Sequence, residues 1–302
     1  MASKGEKISK SKGNSKVEPR ELVKTHSADS IRYWAGTGRL GNDIIFSEET
    51  LARGQKLINK LWNVSKFIEM HIHDYNQNKE KFKEEVKEYN DLEYIDKWIL
   101  AKYEEMEKGY LKYLEEYEIG IALNHLEKFF WNFCDDYIEI VKHRLYRPEE
   151  FGERARYSGQ KTVYTLLFKL IQAFSIYLPY VTEEIYHEIY MNDMNIPSIH
   201  ITSIENLKIK DKNKETYLNI GNTIMEIISE LRGEKTNNNV SLKTPFSIVE
   251  IDVNSNILEG ITKAEKDFKA TVTIENLKLN DKQTSLENNF NILKSELIIE
   301  EK

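Results

Sequence analysis

A single cysteine, Cys134, stands among 302 residues, so the chain has no partner for an internal disulfide and no thiolate set for a zinc site. Its neighbours Phe130, Phe133 and Tyr137 mark it as a buried thiol without a redox role. Long apolar runs are also missing. Leu166, Leu167 and Phe168 make one of the longest, far short of the roughly 20 residues that cross a bilayer. No charged segment followed by an apolar stretch opens the chain. These absences exclude a membrane partner and lead us to expect a cytoplasmic protein. The seven histidines show no metal-ligand spacing, and His71 and His73, two apart, would face different sides of a helix, so no metal site is expected.

What is present is the composition of a soluble globular protein, 40% hydrophobic and 31% charged, with length enough for two domains. The net charge of -7 speaks against a nucleic-acid partner only if charge is spread evenly, and it is not. Residues 69–118 carry fifteen Asp and Glu against eight Lys and Arg, while residues 1–24 carry seven Lys and Arg against three Glu. A basic head therefore precedes an acidic, solvated helical face.

The pattern along the chain predicts a mainly α fold: an antiparallel helical bundle followed by a small C-terminal α+β domain. Ser27 would cap a short helix over Ala28 to Trp34, and Ser47 a long one with Glu48 and Glu49 in its first turn and an apolar stripe through Leu51, Leu57, Ile58, Leu61 and Trp62. A second long helix starts near Asp91, a third carries Ile119 to Val141, and a fourth carries Val163 to Leu178 and stops at Pro179. After Pro197, the alternating Ser198 to Thr202 and Phe246 to Val253 read as strands, with helices over Ile220 to Leu231 and Ile257 to Phe268 and a further strand at Val272 to Ile274. A charged tail, helical or frayed, closes the chain. The expected division is 1–46 as loop and connecting helices, 47–195 as the bundle, and 196–302 as the α+β domain and tail.

Local chemistry concentrates in Lys7-Ile8-Ser9-Lys10-Ser11-Lys12-Gly13-Asn14. Two lysines in a loop of small residues can place compact positive charge on a polyphosphate, with backbone N–H groups and hydroxyls as further donors. Alone, such a segment is an ordinary basic arm. It resembles, however, the Lys-Met-Ser-Lys-Ser signature of class I aminoacyl-tRNA synthetases, with Ile8 in place of the usual Met. The resemblance continues in order through Ser27 to Trp34, Gly41-Asn42-Asp43-Ile44-Ile45-Phe46, Asn59-Lys60-Leu61-Trp62-Asn63, Trp131 to Tyr137 and Leu178 to Tyr186. It spans residues 5 to about 205, and the segment Gly41 to Phe46 is similar to the valine enzymes in particular.

The resemblance implies that Lys10, with Lys7 beside it, stabilises the departing pyrophosphate, and that Lys7, Lys10 and Ser11 bind ATP, with Mg in the complete enzyme. It implies that the bundle orients tRNA(Val), with valine and ATP as substrates of the complete enzyme only. No segment with the family's adenylate-binding signature precedes Lys7, so the chain is expected to be an inactive fragment and, as a protein, a monomer. A free-standing RNA-binding or protein-interaction paralogue, or a piece of an isoleucine or leucine enzyme, stays open at this point. For tRNA contact the expected residues are Lys142, His143, Arg144, Arg147, Arg154 and Arg156, cations gathered where the third helix runs into a loop, although helix C-termini also recruit cations to offset the dipole. Trp62, Trp98 and Trp131, on apolar stripes, are expected as core anchors and not as base-stacking platforms.

Overall fold

The computed structural model describes residues 19–282 and 289–299. In chain order the helices are α1 (Pro19–Thr25), α2 (Ala28–Gly36), α3 (Glu48–His71), α4 (Tyr75–Phe82), α5 (Tyr94–Glu115), α6 (Ile119–Asn132), α7 (Ile138–Tyr146), α8 (Pro148–Phe151), α9 (Glu153–Phe174), α10 (Pro179–Ile189), α11 (Met191–Met194) and α12 (Lys214–Asn237). Strand β1 (Phe246–Asn254) follows, then α13 (Ser255–Lys263), α14 (Glu265–Val272), β2 (Ile274–Lys282) and β3 (Phe290–Leu297). A π-helical turn, Phe133–Tyr137, joins α6 to α7. The class is the expected one, mainly α with a small α+β part.

Both predicted serine caps form. Ser27 Oγ accepts from the Ser30 amide at 3.2 Å and Ser47 Oγ from that of Thr50 at 3.1 Å, each satisfying a first-turn N–H that the helix cannot. Pro179 ends nothing: it occupies the first turn of α10, where its missing N–H costs no bond.

The chain folds as two compact units. One comprises the described part of residues 1–73 with 104–130 and 163–207; the other comprises 74–103, 131–162 and 208–302. The first unit is helical. Its core takes Leu51, Leu57, Leu61 and Ile68 from α3, Leu123, Leu126 and Phe130 from α6, Leu166, Leu167, Leu170 and Phe174 from α9, and Ile185, Tyr186 and Tyr190 from α10 and its end, all buried. Spacings of three and four put each set on one face.

In the second unit a three-stranded sheet has the order β2-β1-β3. Strand β1 pairs with β2 in parallel, the connection running through α13 and α14, and with β3 antiparallel. Phe246, Val249, Ile251 and Val253 are fully buried in this central strand. Two expectations are corrected here. Ile199–Ile201 is a 3-10 turn and not a strand, because Ser198 Oγ caps the His200 amide while Glu183 takes the Ile199 amide at 3.0 Å. The described part of the charged tail contains β3, an edge strand held by its pairing to β1, where a helix or a frayed segment was expected.

Candidate functional site

In the helical unit, the segments from Ser27 to Phe46 and from Leu178 to Tyr186 are bound to each other. The buried Asp29 accepts from the amides of Tyr180 at 3.2 Å and Val181 at 2.8 Å, capping α10 from α2. Burial raises its carboxyl pKa, and these two amides work against that rise. Tyr33, fully buried, donates to Glu127 at 2.9 Å and accepts from Arg53 Nε at 2.6 Å. The connector after α2 is clamped at both ends: Trp34 Nε1 donates to the Ile45 carbonyl at 3.2 Å, and Arg39 holds Glu118 through two bonds. Gly120 admits this approach, since a Cβ there would lie 2.8 Å from the Thr37 carbonyl oxygen.

The six expected tRNA contacts do not form one cationic cluster. Arg144 is 1% exposed. Its two terminal nitrogens donate to Asp96 at 2.8 and 2.7 Å, one of them also to the Ala155 carbonyl, and Nε lies 2.9 Å from Asp267. Arg156 is buried as well, bonded to both oxygens of Asp74 and to the Leu145 carbonyl. Arg144 is closed off from solvent and Arg156 nearly so, each engaged with carboxylate and carbonyl oxygens inside the fold. His143 is no cation: burial, then the charges of Arg147 and Lys142, push its pKa down to about 4.

Four of the six remain half-exposed, His143 and three cations. Lys142 pairs with Glu139 at 2.5 Å, Arg147 with Glu150 at 2.7 Å, and Arg154 with Glu93 at 2.7 Å. The neutral His143 has a role here, because its Nδ1 accepts from Arg147 at 2.9 Å, and the guanidinium also sits 5.4 Å from the centre of the Phe151 ring. Next to Arg147 stands Tyr146, 56% exposed, which reading the sequence passed over. The available signal was an aromatic residue in the last turn of a helix between cations. Lys7, Lys10 and Ser11 lie outside the described residues.

The sequence also gave no hint of the buried network around Arg144. Besides that arginine, Asp96 accepts from Tyr137 at 2.7 Å and Ser158 at 2.5 Å, so α5, α7, α9 and the π-helical turn meet at one carboxylate. Asp267 on α14 is the second. Two buried carboxylates facing one guanidinium leave an excess negative charge, and Asp267 shows it: burial foremost, opposed by Arg144 and reinforced by Asp96 and Glu93, raises its pKa to about 6.

Because the folded pKa of Asp267 exceeds its ordinary value, this carboxyl holds its proton in the folded chain between about pH 4 and 6, and its own contribution to stability falls as pH rises through that window. Asp74 works in the opposite sense. Burial would raise its pKa, but the bonds from Arg156 and Gln160 outweigh burial and hold it at about 2, so its contribution is lost only as pH falls from about 4 towards 2. His143, held near 4, works against Asp267 over the same window, since its contribution grows as pH rises from about 4 to 6.5. Asp267→Asn is therefore expected to leave the protein about 1 to 3 kcal/mol more stable near pH 7 but little changed near pH 4, so that stability climbs more steeply with pH in the variant than in wild type. Urea melts at several pH values check this, and parallel pH profiles for the two proteins would refute it.

Of the three tryptophans expected in the core, Trp98 alone is fully buried; Trp62 and Trp131 are half-buried, short of that role. Trp62 carries the Lys66 ammonium 4.8 Å above its ring. Cys134 is buried, as expected. Among the described residues no group of three or more His, Cys, Asp or Glu is placed to hold a metal, and no helix is long and apolar enough to cross a membrane.

Residues 96–251 match the family model described as the anticodon-binding domain of tRNA ligase. The valine--tRNA ligase of Ehrlichia ruminantium (strain Gardel) is 34% identical over 292 residues, covering 94% of this chain and 33% of its own length. That of Wolbachia pipientis wMel is 34% identical over 281 residues, covering 92% and 30%, and that of Rickettsia prowazekii (strain Madrid E) is 32% identical over 294 residues, covering 97% and 35%. The chain thus spans about a third of the length of the curated relatives it matches.

Proposed function

This chain belongs to the family of tRNA-ligase anticodon-binding domains, and from that premise we propose that it is the tRNA-orienting part of a valine-tRNA ligase. The observation that carries the proposal is the similarity to valine enzymes over 94% of the chain. In the complete enzyme ATP, with Mg, and valine give an adenylate, and the valyl group passes to tRNA(Val). Lys10 and Lys7 would neutralise the departing pyrophosphate there, with Ser11 as a further donor on ATP. Spanning about a third of the length of these relatives, the chain by itself would bind tRNA without charging it.

Residues 1–46 serve this reading as the link from ATP loop to bundle, 47–195 as the tRNA-holding bundle, and 196–302 as an α+β support. The contacts of Arg39, Trp34 and Asp29 support a stiff link, since Trp34 ties α2 to the far end of the connector, Arg39 ties the connector to Glu118 just before α6, and Asp29 ties α2 to α10. Contact with tRNA falls to Lys142, Arg147 and Arg154, the cations of the expected set that keep solvent access.

The test is binding of valine tRNA by the purified chain across a salt series, beside a transcript with a swapped anticodon. Lys142→Ala with Arg147→Ala should flatten the log-log slope by about 1.4 to 1.8 units, from roughly 0.7 to 0.9 per phosphate. Arg156→Ala should leave the slope as it is. Equal affinity for the two transcripts would reject anticodon reading, and an unchanged slope in the double variant would remove Lys142 and Arg147 from the contact.

A further inference from the structure

The C-terminal end of α7 carries an arrangement that charge alone does not explain. Tyr146 and Lys142 are four residues apart on the helix and so share a face, as do Arg147 and His143 on the next. More than half of the Tyr146 surface is open, in a chain that buries most of its aromatic side chains. Arg147 is held in place from three sides: by the His143 ring nitrogen at 2.9 Å, by Glu150 at 2.7 Å and by the face of Phe151. A guanidinium fixed this way has lost its rotamer freedom before any ligand arrives, which lowers the entropic cost of a contact.

An exposed ring beside an oriented guanidinium is the local chemistry of single-stranded nucleic-acid recognition, where a base stacks on the ring and the cation meets the backbone or a base edge. A protein partner fits less well. The surface around Tyr146 is polar, with Lys142 and Arg147 beside it and Glu149, Glu150 and Glu153 exposed on α8 and α9, and it offers no apolar patch for a second chain. Two other tyrosines are strongly exposed: Tyr117, just past α5, is flanked by Glu115, Glu116 and Glu118, which would repel a phosphate backbone, and Tyr180, in the first turn of α10, has Glu183 and Glu184 after it and no Lys or Arg beside it in the sequence.

We propose that Tyr146 is a stacking platform for one unpaired base of the tRNA, with Arg147 reading the adjoining phosphate or base edge and His143 acting as its positioning residue. This rests on the reading of the chain as a tRNA-binding domain. An uncharged His143 suits the role, since only an unprotonated Nδ1 accepts the Arg147 bond, and its depressed pKa keeps it so at neutral pH.

The experiment measures affinity of the whole 302-residue chain for a valine-tRNA transcript and for its isolated anticodon stem-loop, using wild type, Tyr146→Ala, Tyr146→Phe and His143→Ala. Tyr146→Ala should weaken binding roughly 5- to 100-fold, as loss of one base stack does, at an unchanged salt slope. Tyr146→Phe, which keeps the ring and loses only the hydroxyl, should stay within about twofold of wild type. His143→Ala should weaken binding, and the double variant His143→Ala with Tyr146→Ala should weaken it by about the product of the two single effects, while equal binding by His143→Ala and wild type would remove the positioning role. Melting curves for each variant establish that the fold is kept, which the exposure of Tyr146 favours. If wild type binds neither RNA, the functional reading itself fails. If wild type binds and Tyr146→Ala binds equally well, or if Tyr146→Phe falls with Tyr146→Ala, the stacking role is overturned.

Discussion

Arg144→Leu is expected to destabilise the chain by about 3 to 5 kcal/mol, because it strands Asp96 and Asp267 as unpaired carboxylates in a buried site. The size of the effect comes from what is left behind more than from what is removed. Arg144 supplies Asp96 with two charge-assisted bonds, and the remaining donors, Tyr137 and Ser158, are neutral. Chemical denaturation at pH 7 measures the loss. Adding Asp267→Asn to Arg144→Leu should recover part of it, since one of the two stranded charges is then gone, and the non-additivity of the pair measures their coupling. A loss under about 1 kcal/mol would show that the carboxylates are hydrated, and would return Arg144 to the candidates for RNA contact.

Trp98→Ala should cost a similar amount, about 3 to 5 kcal/mol, through a cavity and not through charge. Trp98 has no exposed surface, its indole N–H donates to Asn222 at 3.0 Å, and the Lys102 ammonium lies 4.9 Å from its ring. The backbone of α12 runs directly against the indole. A Cβ on Gly221 would come within 2.1 Å of Trp98 Cγ, which is why a glycine, costly in mid-helix, stands there. Trp131→Ala, at a half-buried position, should cost less than about 2 kcal/mol. Urea melts of the two variants give the order directly, and a Trp131 loss equal to that of Trp98 would overturn this assignment of the core.

The tryptophans show where sequence reading reaches and where it stops. Three- and four-residue periodicity found the helices of the bundle and their buried stripes, and the caps at Ser27 and Ser47 were legible because a cap is chemistry between residues three apart. Periodicity ranks faces, though, and cannot say how deep a face lies. Trp62, Trp98 and Trp131 all sit on apolar stripes, yet only Trp98 meets a second element closely enough to lose all contact with water.

The same limit explains the cation cluster. Lys142, His143, Arg144 and Arg147 look alike as a run of basic residues at a helix end, whereas a helix turns successive residues by about 100° and so splits them between water and interior. What turns Arg144 inward is its pairing with Asp96, 48 residues earlier, and with Asp267 on α14, neither of which a local window contains. Strand β3 was missed for a related reason. Its sequence alternates weakly and is largely exposed, so its structure comes from its ladder with β1 and not from its own pattern. Ser198 to Thr202 failed the other way, since five alternating residues are too few to outweigh a serine cap and a carboxylate that takes the backbone amide.

The Asp29 cap on α10 bears on how the helical unit assembles. A capping residue ordinarily lies beside its helix in sequence and acts as soon as the first turn forms, but here donor and acceptor are separated by 151 and 152 positions. As the chain leaves the ribosome, α10 emerges long after α2 and finds its cap only once the intervening helices have closed the loop between them. The amide hydrogens of Tyr180 and Val181 then exchange with solvent at a rate set by opening of the whole unit, not by fraying of one helix end. These two backbone positions would serve as a built-in gauge of whether the first and last parts of the bundle have met.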